Sequence, residues 1–367
     1  MLVRFIGTAG RDGWPSPGCA CASCAGSPPG RRSPLRVEVD GKPWPGGGAC
    51  PPGYAATGPL LVAPDGSRLL DLSDIRSLAD LGAALSGLPA GCRHGGGSPG
   101  SREVPGSGNP TSGGESPSCD LVLVDLLDDP AVLGDLRRRG FVTAGTHVVA
   151  VGLDHRVRSE SELARRLALW GARAVPDGTV VDTAQAPPPR PAPPRRALLL
   201  GGSRSGKSDE AELRLAAEPH VTYLATGPSG HGDPEWAARV AAHQARRPAH
   251  WACEETTELA EAIARATTPL LVDGLGTWLA AVFDQAGAWE DPTRREEVVR
   301  RCDELVAAWR STRHRIVAVS DEVGLGVVPS TSSGRAFRDA LGRLNQRLAA
   351  ESEDVTLVVA GRLLPLG

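Results

Sequence analysis

Residues 201–208 read Gly-Gly-Ser-Arg-Ser-Gly-Lys-Ser, which satisfies the spacing G-x-x-x-x-G-K-[ST] between the apolar run at 197–200 and a stretch of helical periodicity. This motif constrains the fold more than any other feature of the chain. A glycine-rich turn from a buried strand into a helix aims main-chain N–H groups at one point, at the positive end of the helix, where phosphate oxygens bind. Gly201, Gly202, Ser203, Arg204, Ser205 and Gly206 are therefore expected to cradle a nucleotide. Lys207 is expected to reach its β- and γ-phosphates, and Ser208 to ligate Mg²⁺. Such a site needs a carboxylate at the end of a neighbouring strand, and Asp273, after the apolar run at 270–272, is the candidate second metal ligand.

The surrounding pattern agrees. Apolar runs at 197–200, 221–225, 270–272, 316–319 and 355–359 alternate with amphipathic stretches at 207–217, 234–247, 256–266, 292–312 and 335–351. Strands alternating with helices predict an α/β fold with a mostly parallel sheet covered on both faces.

The rest of the 367 residues is less uniform. Gly (45) and Pro (32) make up about a fifth of the chain, a level at which some of it reads as low-complexity. Residues 86–118 hold almost no large apolar side chain and are expected to be a disordered insert. Residues 184–195, rich in Pro and Arg, read as a polyproline spacer. The expected plan is thus an amino-terminal domain at 1–183, a linker at 184–195 and a P-loop domain at 196–367. Within the first, the runs at 59–63 and 67–72 flank a Pro-Asp-Gly turn and predict a hairpin. The runs at 121–125 and 147–152 predict buried strands, and 130–139 and 159–170 predict helices.

A formal net charge of -3 argues against general binding to nucleic acid or to a membrane surface. No run of 18 or more apolar residues occurs, so no membrane span is expected, and the start lacks the pattern of a signal peptide; the cytoplasm is the expected compartment. The eight cysteines are too unevenly spaced for a disulfide framework. Cys19, Cys21 and Cys24 cluster, and are read either as buried thiols or as three ligands of a structural zinc whose fourth comes from elsewhere.

On a helix, Glu235, Arg239, His243 and Arg246 fall at i, i+4, i+8 and i+11 and share a face, with Arg247 beside them. An imidazole among guanidinium groups suits work on a phosphate, and equally suits an ordinary solvated face.

The order of these motifs resembles the bifunctional adenosylcobinamide kinase/adenosylcobinamide-phosphate guanylyltransferase family. The likeness covers the loop at 201–208, the segment from Tyr223 to Thr226, the helix with Arg239, His243 and Arg247, and the segment from Trp251 to Glu255. It continues through Glu322-Val-Gly-Leu-Gly-Val-Val-Pro329 and through the stretch from Phe337 to Ala349 with Arg338, Asp339, Gly342, Asn345 and Gln346. The resemblance implies phosphorylation of adenosylcobinamide by ATP or GTP, then transfer of GMP from GTP to adenosylcobinamide phosphate through a guanylylated histidine, His243 by position. It also implies nucleotide contacts from Ala225, Thr226, Arg246, Arg247, Glu255 and Asp273, and a homotrimer. The chain departs from the family pattern at Asp321, where asparagine is usual, and at Gly276, where threonine is usual. Lys207 and Asp273 alone are equally compatible with another small-molecule kinase or with a non-enzymatic nucleotide-binding module.

The amino-terminal segment, with Gly7-Thr8, Gly13-Trp14-Pro15 and Cys19/Cys21/Cys24, resembles the opening of metallo-β-lactamase-fold phosphodiesterases, and 152–155 and 172–178 resemble that fold's closing strands. The H-x-H-x-D-H metal motif is missing and only His94, His147 and His155 occur there, so no hydrolase activity is expected.

Overall fold

The computed structural model describes residues 1–28, 30–44, 52–86, 88, 118–227, 241, 244 and 247–366. The predicted disordered insert at 86–118 falls almost wholly outside these residues. The chain forms two compact units, one of Met1–Pro191 with Ala216–Pro219, the other of Ala192–Leu215 with His220–Gly367.

The first unit contains β1 (Leu2–Gly7), α1 (Ala22–Ala25), β2 (Arg36–Val39), β3 (Lys42–Trp44), β4 (Ala55–Thr57), β5 (Leu60–Val62), β6 (Arg68–Leu72), α2 (Leu78–Ser86), β7 (Leu121–Val124), α3 (Ala131–Arg138), β8 (His147–Ala150), α4 (Glu160–Trp170) and β9 (Val180–Asp182). They build a sheet of order β3-β2-β1-β9 and another of order β4-β5-β6-β7-β8. Val3, Phe5, Val37 and Val39 of the first sheet share one apolar core with Leu61, Leu69, Leu121, Leu123 and Val149 of the second. The predicted hairpin is β5–β6, closed by Gly66 at φ 85, a left-handed turn position that suits glycine. The strands and helices expected at 121–125, 147–152, 130–139 and 159–170 are β7, β8, α3 and α4. The closing strands expected at 152–155 and 172–178 are isolated bridges instead, Leu153 to Ala9 and Arg173 to Val149, and the last strand is β9. These segments mix charged and turn residues, so only single pairs of the ladder form.

The second unit runs β10 (Arg196–Gly201), α5 (Lys207–Leu215), β11 (Thr222–Ala225), β12 (Ala252–Glu255), α6 (Leu259–Ala264), β13 (Leu270–Asp273), α7 (Leu275–Ala286), a 3-10 turn (Pro292–Arg294), α8 (Arg295–Ser311), β14 (Ile316–Asp321), a second 3-10 turn (Val323–Leu325), α9 (Ser332–Ala350), β15 (Asp354–Val359) and β16 (Arg362–Pro365). The sheet order is β12-β11-β13-β14-β10-β15-β16, parallel throughout except for the edge strand β16. Because successive side chains on a strand point to opposite faces, each central strand feeds two cores. Leu198 and Leu200 join Leu270, Val272, Ile316 and Ala318 beneath α6–α9, while Ala197 and Leu199 join Leu271, Val317 and Val319 beneath α5. This doubly covered α/β sheet is the predicted fold class. Strands β12 and β16 and helix α7 were not singled out by pattern. The two strands are edge strands, β12 reading Ala-Cys-Glu-Glu with mostly exposed residues, and α7 is apolar without a break from Trp278 to Phe283.

One buried cation ties α5 to the sheet. Arg214, 4% exposed, donates to Glu210 Oε1 (3.0 Å), Asp354 Oδ2 (2.8 Å) and Thr356 Oγ1 (3.1 Å). Removing it leaves Glu210 and Asp354 without their compensating charge, so Arg214→Met is expected to lower the unfolding free energy by about 3–5 kcal/mol, measured by urea denaturation. A loss below about 1 kcal/mol would contradict this role.

Candidate functional site

In a parallel sheet all strand ends of one kind lie together, and ligands bind outside the carboxyl ends. Here register places Gly201 opposite Asp321 and Val358, and Ala225 opposite Asp273 and Glu255, so six carboxyl-terminal ends meet along one rim. Gly201, Ala225, Glu255 and Asp273 lie on that rim, Gly202 to Gly206 on the loop leaving it, Lys207 and Ser208 at the start of α5 and Thr226 just past β11, while Arg247 precedes β12.

The glycine-rich loop leaves β10 at its end and turns into α5, whose first residue is Lys207. Gly206 turns at φ 93 and Arg204 at φ 57, both in the left-handed region. Gly201 has no room for a side chain: a Cβ would stand 2.5 Å from Ser205 Oγ and 2.6 Å from the Val358 carbonyl. The loop is pinned from beneath by Gly361, whose N–H donates to Ser205 O at 2.8 Å. Gly202, Ser203 and Arg204 face solvent, and Ser205 is buried under them with no hydrogen-bond partner for its hydroxyl among the described residues.

Lys207 Nζ lies 3.1 Å from Gly202 O, folded over the loop, and 2.8 Å from Asp321 Oδ1. Ser208 Oγ donates to Asp273 Oδ1 at 3.3 Å, so the two predicted metal ligands adjoin one another. Asp273 Oδ2 accepts from Tyr223 Oη at 2.6 Å. Burial, and next the negative charge of Asp273, hold the Tyr223 phenol above its ordinary pKa, so it remains a donor that orients the carboxylate. The Arg247 guanidinium stacks at 3.7 Å over the ring of Tyr223, the residue that donates to Asp273.

Thr226, 2% exposed, gives its hydroxyl to Gly274 O (2.7 Å), accepts from Gly274 N (3.1 Å) and meets Thr277 Oγ1 (2.8 Å). Its side chain therefore shapes the turn after Asp273. Glu255 is exposed at the end of β12. His243 and Arg246 lie outside the described residues, as do Glu235 and Arg239. Cys19, Cys21 and Cys24 belong to the first unit, where they sit with His155.

The two departures from the family pattern touch. A Cβ at Gly276 would come within 2.9 Å of Asp321 Oδ2, so the aspartate occupies space that a larger residue at 276 would need. Asn345 supports this strand end by donating from Nδ2 to Asp321 O and Glu322 Oε1 (both 3.1 Å) and accepting from Ser320 at 2.6 Å. Arg338 donates to Gly324 O at 2.6 Å and Glu322 is engaged by Asn345, so each has its own partner. Tyr223, Asp321 and Asn345 fall within the family likeness but were given no site role, because sequence does not show which side chain each one meets.

A family model described as cobinamide kinase / cobinamide phosphate guanyltransferase matches residues 197–366. The bifunctional adenosylcobalamin biosynthesis protein CobP of Pseudomonas aeruginosa is 44% identical over 181 residues, which span 47% of this chain and 96% of that protein. CobU of Salmonella typhimurium is 37% identical over 174 residues, 45% of this chain and 95% of its own length. CobU of Escherichia coli is 36% identical over 174 residues, 45% of this chain and 95% of its own length. The chain belongs to the cobinamide kinase/guanyltransferase family. Its second unit carries the family's kinase and guanylyltransferase activities on nucleotide substrates, and residues 1–196 are outside the matched region.

A phosphate group entering this cradle competes with Asp321 for Lys207. The pair is partly exposed, with Asp321 43% accessible, so its contribution is modest. Asp321→Asn is expected to tighten binding of a fluorescent GTP analogue roughly two- to fivefold. Weaker binding in the variant would show that the carboxylate assists the nucleotide.

Proposed function

We infer that the second unit performs two successive transfers at this rim. It phosphorylates the aminopropanol hydroxyl of adenosylcobinamide with ATP or GTP, then moves GMP from GTP onto the new phosphate. The observation that supports this best is the adjacency of a P-loop lysine, the Ser208 hydroxyl and Asp273, with Arg247 stacked on Tyr223 beside them.

In the first transfer the N–H groups of 202–207 hold the triphosphate and Lys207 neutralises charge gathering on the γ-phosphoryl oxygens as the terminal P–O bond breaks. Ser208 and Asp273 offer two hard oxygen donors side by side, the set that suits Mg²⁺, which when bound supplies charge neutralisation between the β- and γ-phosphates. Tyr223 keeps Asp273 turned toward Ser208.

In the second transfer a neutral ring nitrogen of His243 attacks the α-phosphorus of GTP. A P–N bond forms, the bond to the bridging oxygen breaks and pyrophosphate leaves, its charge met by Arg246 and Arg247. An oxygen of adenosylcobinamide phosphate then attacks the guanylyl group, the P–N bond breaks, and His243 is regenerated with adenosylcobinamide-GDP as product. Glu255, at the end of β12, is assigned a contact to the guanine nucleotide. Residues 196–367 act as the catalytic domain and 184–195 as the linker before it.

We further propose a homotrimer working in the cytoplasm, where GTP is found. Leu325, Val327 and Val328, 77%, 94% and 61% exposed after β14, are apolar surface that association would cover. Among the described residues no helix is long and apolar enough to cross a membrane.

Incubation with α-labelled GTP is expected to leave an acid-labile, base-stable label on the wild-type chain and none on His243→Ala, which should still phosphorylate adenosylcobinamide. Lys207→Ala is expected to lower that kinase turnover on the order of 10²-fold. Labelling that survives His243→Ala would remove this histidine from the mechanism. Turnover without any label would leave a kinase alone.

A further inference from the structure

Cys19, Cys21 and Cys24 lie in the loop that enters and forms α1, and His155 lies in the loop beyond β8, 131 positions from Cys24. One ligand atom from each of the four falls within 4.8 Å of all the others. We propose that these four side chains bind one zinc ion as a closed, structural Cys₃His site, with His155 Nδ1 as the ligand that the cysteine spacing alone leaves unnamed.

The chemistry of the set favours zinc. Three thiols and an imidazole are the soft and borderline donors that zinc takes in tetrahedral sites, and with no carboxylate in the set the hard cations are disfavoured. Tetrahedral bonds of the usual Zn–S and Zn–N length place neighbouring ligand atoms roughly 3.5–3.8 Å apart. Cys24 Sγ and His155 Nδ1 already stand at 3.6 Å, and the remaining separations need contract by no more than about 1 Å.

The surroundings are those of a preformed site. Thiolate sulfur gains from backbone N–H donors, and two point inward here: Cys24 N to Cys21 Sγ at 3.5 Å, and Ser16 N to Cys24 Sγ at 3.4 Å. The cysteine loop is fastened independently by Trp14, 1% exposed, whose indole donates to Ser23 Oγ at 3.1 Å. The histidine loop is fastened to the same region by Leu153 N donating to Thr8 O at 3.2 Å and Gly10 N donating to Leu153 O at 3.0 Å. Both loops are thus held in place by bonds that do not involve the four ligands, and the donors converge without strain. A disulfide among the three cysteines would occupy two thiols and leave the third thiol and the imidazole gathered for no purpose. With four protein donors no open coordination position remains, so the ion would lock the amino-terminal loop to the loop after β8 and carry no chemistry itself.

The test uses the full chain, purified without a metal-chelating column. Zinc is measured by elemental analysis after gel filtration, before and after exposure to equimolar zinc sulfate. About one ion per chain is expected in the wild type. His155→Ala and Cys21→Ser, both at exposed positions, are expected to bind at most a small fraction of that, while Cys253→Ser, in the other unit, keeps the full content. Cobalt substituted for zinc is expected to show the intense visible bands of a tetrahedral site with thiolate-to-metal charge transfer. Stripping the ion should lower the melting temperature of the wild type and leave that of His155→Ala unchanged. A wild-type chain that holds no zinc after reconstitution would overturn the proposal. So would zinc content equal to wild type in His155→Ala, or loss of zinc in Cys253→Ser.

Discussion

The absence of a side chain at Gly201 governs the geometry of the whole rim. A methyl group there would collide with Ser205 Oγ and with the carbonyl of Val358, so only glycine lets β10 end flush against β15 while its next residues fold back over the strand end. That close approach allows Gly361 to hold Ser205 from below and sets Lys207 at the first turn of α5. The rest of the site is arranged around this point by register: Asp321 is opposite Gly201 on β14, and Asp273 lies on β13, one strand farther.

The charges then divide the rim into two halves. On one side Asp321 holds Lys207, with Gly276 keeping space for the carboxylate. On the other, Asp273 is held between Ser208 and Tyr223, and Tyr223 carries Arg247 on its face. Under the proposed function an incoming triphosphate exchanges the first arrangement for its own contacts, while the second sets two oxygen groups, Ser208 Oγ and Asp273 Oδ1, side by side. The two positions where this chain departs from its family's pattern are therefore one local change. The carboxylate at 321 and the missing side chain at 276 occupy the same few ångströms.

Much of the second unit was legible in advance because its central strands are apolar on both faces and its loop motif demands a strand before and a helix after. Leu198 to Leu200, Leu270 to Val272 and Ile316 to Val319 announce themselves as continuous runs. β12 and β16 did not, since an edge strand needs no such run, and α7 did not, since its sequence is apolar without a break from Trp278 to Phe283, although its buried side chains Leu275, Trp278, Leu279, Val282 and Phe283 fall on one helical face. In the first unit the hairpin β5–β6 was written in a Pro-Asp-Gly turn, whereas 152–155 and 172–178 were read as strands from resemblance and form single bridges. The candidate residues with motifs, Lys207, Ser208 and Asp273, were visible, and the fold brings Ser208 beside Asp273. The orienting roles of Tyr223 toward Asp273 and of Asn345 toward the end of β14 were not visible, because orientation depends on a neighbour from a distant part of the chain.

By itself, then, the order of amino acids determined that this protein holds a phosphate cradle on a parallel sheet, since glycine, lysine and serine at that spacing are a local property of one turn. It also determined that three cysteines sit close together, since five intervening bonds of chain keep them so. Only the folded chain decided which distant groups complete each arrangement. Asp321 reaches Lys207 because two strands are in register, Tyr223 reaches Asp273 because β11 lies beside β13, and His155 reaches Cys24 because one loop is bonded down beside another. Those meetings depend on packing across more than a hundred residues in two of the three cases, and no local pattern encodes them.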